Sequence, residues 1–241
     1  MMISPESYYE EFLKKKSKEQ IMTAIRGLKN EIGYLKNTME SPDIGLKVSM
    51  NPSEDVRLHC TREYLERAKQ AYAEVGGTYI LSKTEEKAAN FDDNIDAIKK
   101  ITFNIGRYFD GYRSYVIEIT DRFEAYTKLW GDEEPLSLWG YNNEEIFTKD
   151  ILINSLKELH IGEWRRRYST KRFGYMVLDG TQWELVFEYN NGHKPIKFDG
   201  DNSYPYNFDK FQMLFGIAST EEDEDEQIWY FDKIHKYNPG W

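Results

Sequence analysis

The order of apolar and polar positions divides the chain into a helical first part and a strand-rich second part. Between residues 21 and 39, Ile21, Ile25, Leu28, Ile32, Leu35 and Met39 alternate steps of four and three. That spacing lays one apolar seam along a helix. Ser17 and Gln20 stand ahead of it at capping-box spacing. Pro42, Gly45 and Pro52 mark a loop. A second helix is predicted from Ser53, with the seam Leu58, Leu65, Ala68, Tyr72 and Val75 and a stop at Gly76-Gly77. Two such helices of matched length predict an antiparallel αα-hairpin. Ser4-Pro5-Glu6 predicts a short helix before the hairpin, and Ser82 with Glu85 a third helix after it.

Near Lys99 the period switches to two. Ile101, Phe103 and Ile105 alternate with Thr102 and Asn104, and Tyr115, Ile117 and Ile119 repeat the pattern beyond Asp110-Gly111. With residues 123–130 as a third strand, this predicts an antiparallel meander. Thr148 is placed to cap a helix carrying Ile151, Leu152, Leu156 and Leu159. The densest alternation follows, where Trp183, Leu185, Phe187 and Tyr189 interleave with Gln182, Glu184, Val186 and Glu188. Asn190-Asn191-Gly192 suits a tight hairpin turn, because Asn and Gly tolerate positive φ. Ile196 and Phe198 form the return strand, and Gly200-Asp201-Asn202 is expected to break it. Asn207 then stands at an N-cap position before Phe208, Phe211, Leu214 and Phe215. The predicted fold class is α+β. A helical region spans 1–97, an antiparallel sheet domain with one or two packed helices spans 98–218, and an acidic linker with an aromatic C-terminal segment spans 219–241.

Composition changes this picture in two ways. Aromatic residues make up 15% of the 241 positions, which argues against disorder of the whole chain. The net charge of −10 is unevenly placed. Residues 1–100 hold 16 basic and 17 acidic side chains, whereas residues 101–241 hold 16 and 25, a net of −9. That field disfavours non-specific binding to phosphate backbones and acidic membranes and favours basic partners. The single cysteine, Cys60, allows no internal disulfide. With no apolar leader run, this predicts a cytoplasmic protein. No apolar stretch approaches a membrane span.

Motifs for chemistry are sparse. His59, His160, His193 and His235 lie in no metal-binding spacing, and Cys60 beside His59 on a helix points elsewhere. Asp179 and Asp201 sit where turn chemistry explains them, and Asp199 and Asp209 complete the carboxylates of that stretch. No phosphate loop is present. The expectation is therefore no catalytic residue, no metal and no cofactor. Two surfaces are candidates for binding. One is the acidic run Glu221, Glu222, Asp223, Glu224, Asp225 and Glu226 with Trp229, Tyr230 and Phe231 behind it. Its charges would steer a basic partner and its aromatics would anchor it. The other is Trp164, Arg165, Arg166, Arg167, Lys171 and Arg172, where guanidinium and aromatic faces suit single-stranded nucleic acid.

The run LDGTQWELVFEYNNGHKPIKFDGDNSYPYNFD, with LHIGEWRRRY ahead of it, resembles a C-terminal signature of uncharacterised bacterial proteins. Some of these accompany mobile genetic elements. The segment EEFLKKKSKEQIMTAIRGLKNEIGYLKNTME is similar to the start of such proteins. The resemblance implies counter-defence or element-maintenance roles and brings no catalytic residue or ligand. The leading expectation is a non-enzymatic, acidic protein-binding module, an inhibitor of a basic nucleic-acid-handling protein, with homodimerisation through the N-terminal helices as a further expectation. The alternatives are a nucleic-acid binder and an enzyme whose site is assembled from distant residues.

Overall fold

Ser17 fixes the start of the longest helix. Its side chain accepts from the backbone N–H of Gln20, while the Gln20 side chain accepts from the Ser17 N–H, completing the capping box. The computed structural model describes residues 2–42, 51–107, 111–120, 123–129, 131–139, 145–146, 148–177 and 180–217. The chain forms two compact units, Met1–Lys83 and Thr84–Trp241.

The first unit is helical. Helix α1 (Pro5–Tyr8) is capped by Ser4 and runs into a π-helical turn, Tyr9–Leu13. Helix α2 (Lys18–Met39) packs against α3 (Glu54–Glu74). The pairing is antiparallel. Lys18 at the start of α2 lies over the ring of Tyr72 near the end of α3, and Arg57 near the start of α3 meets Glu31 at 2.6 Å. Ile21, Ile25, Leu28, Leu65, Ala68 and Tyr72 share one buried cluster with Leu13, Tyr64 and Ala71. Leu35 and Leu58 are also buried and Ile32 packs half-buried against the cluster, so the α2 seam runs as the spacing predicts to a half-buried Met39, whereas Val75 lies beyond the end of α3 and is exposed. Gly76 takes φ +77 and ends the helix as expected. Ser53 occupies the N-cap position of α3, but its hydroxyl bonds to Asp55 rather than to the backbone.

The second unit is a sheet with helices on one face. Helix α4 (Lys83–Asn94) leads into β1 (Ile98–Arg107), followed by β2 (Gly111–Ile119), β3 (Phe123–Leu129) and β4 (Asp132–Pro135). Two short strands, β5 (Leu138–Trp139) and β6 (Glu145–Ile146), pair with each other. Helix α5 (Lys149–Glu158), β7 (Arg167–Ser169), β8 (Gln182–Tyr189), β9 (Ile196–Asp201) and α6 (Phe208–Met213) complete the described chain. The main sheet has seven strands in the order β4-β3-β2-β1-β8-β9-β7. The meander is present, but β8 returns to the free edge of β1, so β1 is internal. The last pair, β7 with β9, is parallel. The protein is α+β, with a sheet that is antiparallel apart from this edge.

Alternation assigns the two faces. Phe103 on β1, Ile117 on β2, Leu185 and Phe187 on β8 and Phe198 on β9 are all buried on one face. Phe91 of α4 meets the rings of Phe187 and Phe198 edge-on, at 5.1 and 6.3 Å between centroids. Phe208, Phe211 and Phe215 pack on the Phe103 ring, at 5.9, 5.1 and 5.3 Å between centroids. These contacts place α4 with the sheet, so the boundary between units falls at Lys83/Thr84 rather than at 97/98. The 219–241 segment lies outside the described residues.

Two local expectations change. Gly200-Asp201-Asn202 does not break the sheet early, because β9 runs through Asp201. Gly200 is required there, since a Cβ would stand 2.2 Å from Trp183 Nε1. Asn207 precedes α6, but its side chain makes no cap bond. It accepts from Trp164 Nε1 at 2.9 Å and donates to Leu159 O at 2.7 Å instead.

Candidate functional site

The face of the sheet opposite the aromatic core carries polar side chains in cross-strand rows. One row crosses six strands: Lys128, Ser114, Asn104, Glu184, Asp199 and Arg167. Beyond an intervening row of Tyr126, Val116, Thr102, Val186 and Lys197, another carries Glu118, Lys100 and Glu188, and on the opposite side a further row carries Tyr112, Gly106, Gln182 and Asp201. These positions are the polar half of the period-two pattern whose apolar half builds the core.

The rows are tied together by side-chain bonds. Lys100 Nζ donates to Glu118 Oε1 at 2.9 Å, and the Tyr126 hydroxyl donates to the same oxygen at 3.0 Å. These two bonds hold the Glu118 carboxyl below the ordinary range, and the carboxylate in turn holds the Lys100 ammonium above its own. Lys197 donates to Glu184, which likewise raises the Lys197 ammonium. Ser114 Oγ donates to Asn104 Oδ1 at 2.6 Å. The Tyr112 hydroxyl donates to Gln182 Oε1 at 2.7 Å, bridging β2 to β8 across Gly106. A Cβ on Gly106 would stand 2.1 Å from Gly111 O and 2.7 Å from Tyr112 Cα, so only glycine permits that closeness. This end of the face forms an open concavity of about 620 Å³, lined among others by Asn104, Tyr112, Arg167, Gln182, Glu184 and Asp201.

The sequence-derived candidates are dispersed. Trp164 is a core residue, 5% exposed, edge-on to Trp183, Phe198 and Phe211. It offers no stacking surface. The backbone N–H of Arg165 donates to the Tyr168 hydroxyl. Arg167 opens the edge strand β7 and Arg166 immediately precedes it, and the two take opposite faces. The Arg166 guanidinium lies 4.5 Å over the Phe198 ring, and burial lowers its proton affinity. Arg167, 82% exposed, reaches over the open face to within 3.7 Å of Asp199. Lys171 and Arg172 are exposed on a 3₁₀ turn, where Arg172 covers Phe173. Glu221 to Glu226, Trp229, Tyr230, Phe231 and Asp179 lie outside the described residues.

Asp199 and Asp201, by contrast, come together on the open face with residues not singled out from sequence. His193 is structural. Its Nε2 faces Asn90 Nδ2 at 3.1 Å and its Nδ1 faces Lys194 O at 2.8 Å, which pins the β8–β9 turn to α4. His59 lies 3.7 Å from Glu63. Among the described residues, no group of three or more His, Cys, Asp or Glu side chains is placed to hold a metal ion, and no helix is long and apolar enough to cross a membrane. The residues missed from sequence, Asn104, Tyr112, Ser114 and Gln182, had one signal: they are polar members of strands whose other face is apolar.

Comparison with known proteins gave no match to a family model, to a curated protein or to a solved structure.

Proposed function

We propose that the protein is a non-enzymatic binding module that engages a basic protein through the open face of its sheet. The observation that carries this reading is the grid of half-exposed, mutually bonded polar side chains on a sheet whose other face is packed. Side chains already tied in place lose little freedom on binding, which lowers the cost of forming a polar interface. The net charge of −9 in residues 101–241 supplies the steering field toward a basic partner. The resemblance to proteins that accompany mobile elements favours a nucleic-acid-handling protein as that partner, with inhibition as the outcome. Docking of the acidic run 221–226 on the same partner is part of this proposal.

Site-specific cross-linking tests it. A photo-reactive residue placed at Ser114 or Lys197 on the open face should trap one basic protein from a bacterial lysate. The same residue at Tyr34, 60% exposed on α2, should not. Raising salt to ~500 mM should abolish the adduct, since exposed charges are then screened within a few ångströms. Adducts from Tyr34 alone, or none from the open face, would overturn the reading. Salt-sensitive binding to single-stranded DNA that is weakened by Lys171→Ala with Arg172→Ala would favour the nucleic-acid alternative.

A further inference from the structure

We infer that the concavity at the Tyr112–Asp201 end of the open face receives a single arginine side chain of the partner, an inference that rests on the protein-binding reading above.

Charge pairing inside the concavity singles out one carboxylate. Lys197 is bonded to Glu184, and Arg167 stands 3.7 Å from Asp199. Asp201 accepts only from Asn202 Nδ2, at 2.9 Å, among the described residues. The lining therefore carries two cations against three carboxylates, and Asp201 is the one with no cation of its own. A guest with one positive charge completes the set.

The neighbouring groups decide which cation fits. Gln182 pairs across the sheet with Asp201 and accepts from the Tyr112 hydroxyl. Ring, carboxamide and carboxylate thus follow one another along a single row. Tyr112 is 47% exposed, its hydroxyl is tied to Gln182 and its backbone is set by the tight β1–β2 approach at Gly106. A guanidinium meets both features at once. Its fork matches a carboxylate, and its flat face stacks on a tyrosine ring. A lysine ammonium would supply the charge without the planar fit.

The probe is a neutral Gly-Ser peptide with one central arginine, titrated into the full chain and followed by amide chemical shifts. Matched peptides carry lysine or the uncharged isostere citrulline, and a neutral disaccharide serves as a fourth probe. Saturable shifts are expected at residues 112, 182 and 201, with arginine binding several-fold tighter than lysine and citrulline silent. Asp201→Asn should weaken the arginine peptide about tenfold, the scale of one charge-assisted hydrogen bond. Tyr112→Ala, which alters no charge, should also weaken it. Asp132→Asn on the exposed edge strand β4 should not. Equal losses for Asp201→Asn and Asp132→Asn would mean bulk charge and overturn the inference. So would equal binding of citrulline, the same shifts with the disaccharide, or no shifts at ~10 mM peptide. Cross-linking from Ser114 that survives in Asp201→Asn, with no arginine-peptide binding in the unmodified chain, would sink this inference and leave the protein-binding reading standing.

Discussion

Tyr189 shows how one hydroxyl couples the core to pH. It is 5% exposed, and its hydroxyl has no hydrogen-bond partner among the described residues. Burial pushes the phenol up to about 12, with the nearby Arg166 charge opposing the shift. A raised phenol favours the neutral form in the folded state. The linked stability is therefore intact below the ordinary tyrosine value near 10 and is lost as pH rises toward 12. Tyr189→Phe should leave stability at pH 7 unchanged or raise it by up to about 1 kcal/mol, because it removes an unsatisfied buried hydroxyl. It should also lose less stability than the parent between pH 7 and pH 11. Urea unfolding at both pH values checks this, and a loss above about 1 kcal/mol at pH 7 would show that the hydroxyl has a partner. Single residues of this kind were the least legible in the sequence. Asn207 stands where a helix cap belongs, yet Trp164 and Leu159 claim its side chain. Those partners are 43 and 48 residues away, so no local pattern encodes the choice. Trp164 looked like a stacking surface beside three arginines for the same reason, since its buried neighbours come from β8, β9 and α6.

Elements were far more legible, because they follow local periodicity. The capping box at Ser17, the α2 seam, the alternation of β1, β2 and β8 and the Thr148 cap all stand where the sequence places them. Pairing was not legible. Strand β8 lies against β1 across 74 intervening residues, and β7 joins parallel to β9, because both choices depend on how whole faces match. Leu28 gives the element-scale test. It belongs to the buried α2–α3 cluster, and all six tryptophans lie in residues 84–241. Leu28→Asp puts a charge into that seam and should cost several kcal/mol in the helical unit. Helicity by circular dichroism should fall while the tryptophan fluorescence melt stays in place. An unchanged helical signal would show that the seam does not hold the hairpin.

At the scale of the whole molecule, the open sheet face and the negative second half point the same way. A sheet that packs one face on helices and leaves the other polar is stable by its core alone. Its outer side chains are then free to be chosen for recognition. The sequence disclosed the charge and the alternation, but not that six strands would bring Lys128 to Arg167 into one row. The candidate site was hidden because its members come from β1, β2, β7, β8 and β9 and share no motif.

Hydroxyl-radical footprinting of the protein bound to its cross-linked partner tests this most directly. Tyr112 and Tyr126 lie on the open face, and Tyr34 and Tyr175 lie elsewhere, with Tyr34, Tyr112 and Tyr175 at least 40% exposed. Protection of Tyr112 and Tyr126, with Tyr34 and Tyr175 unchanged, is the predicted result. Protection confined to Tyr34 or Tyr175, with both open-face tyrosines as reactive as in the free protein, would contradict it.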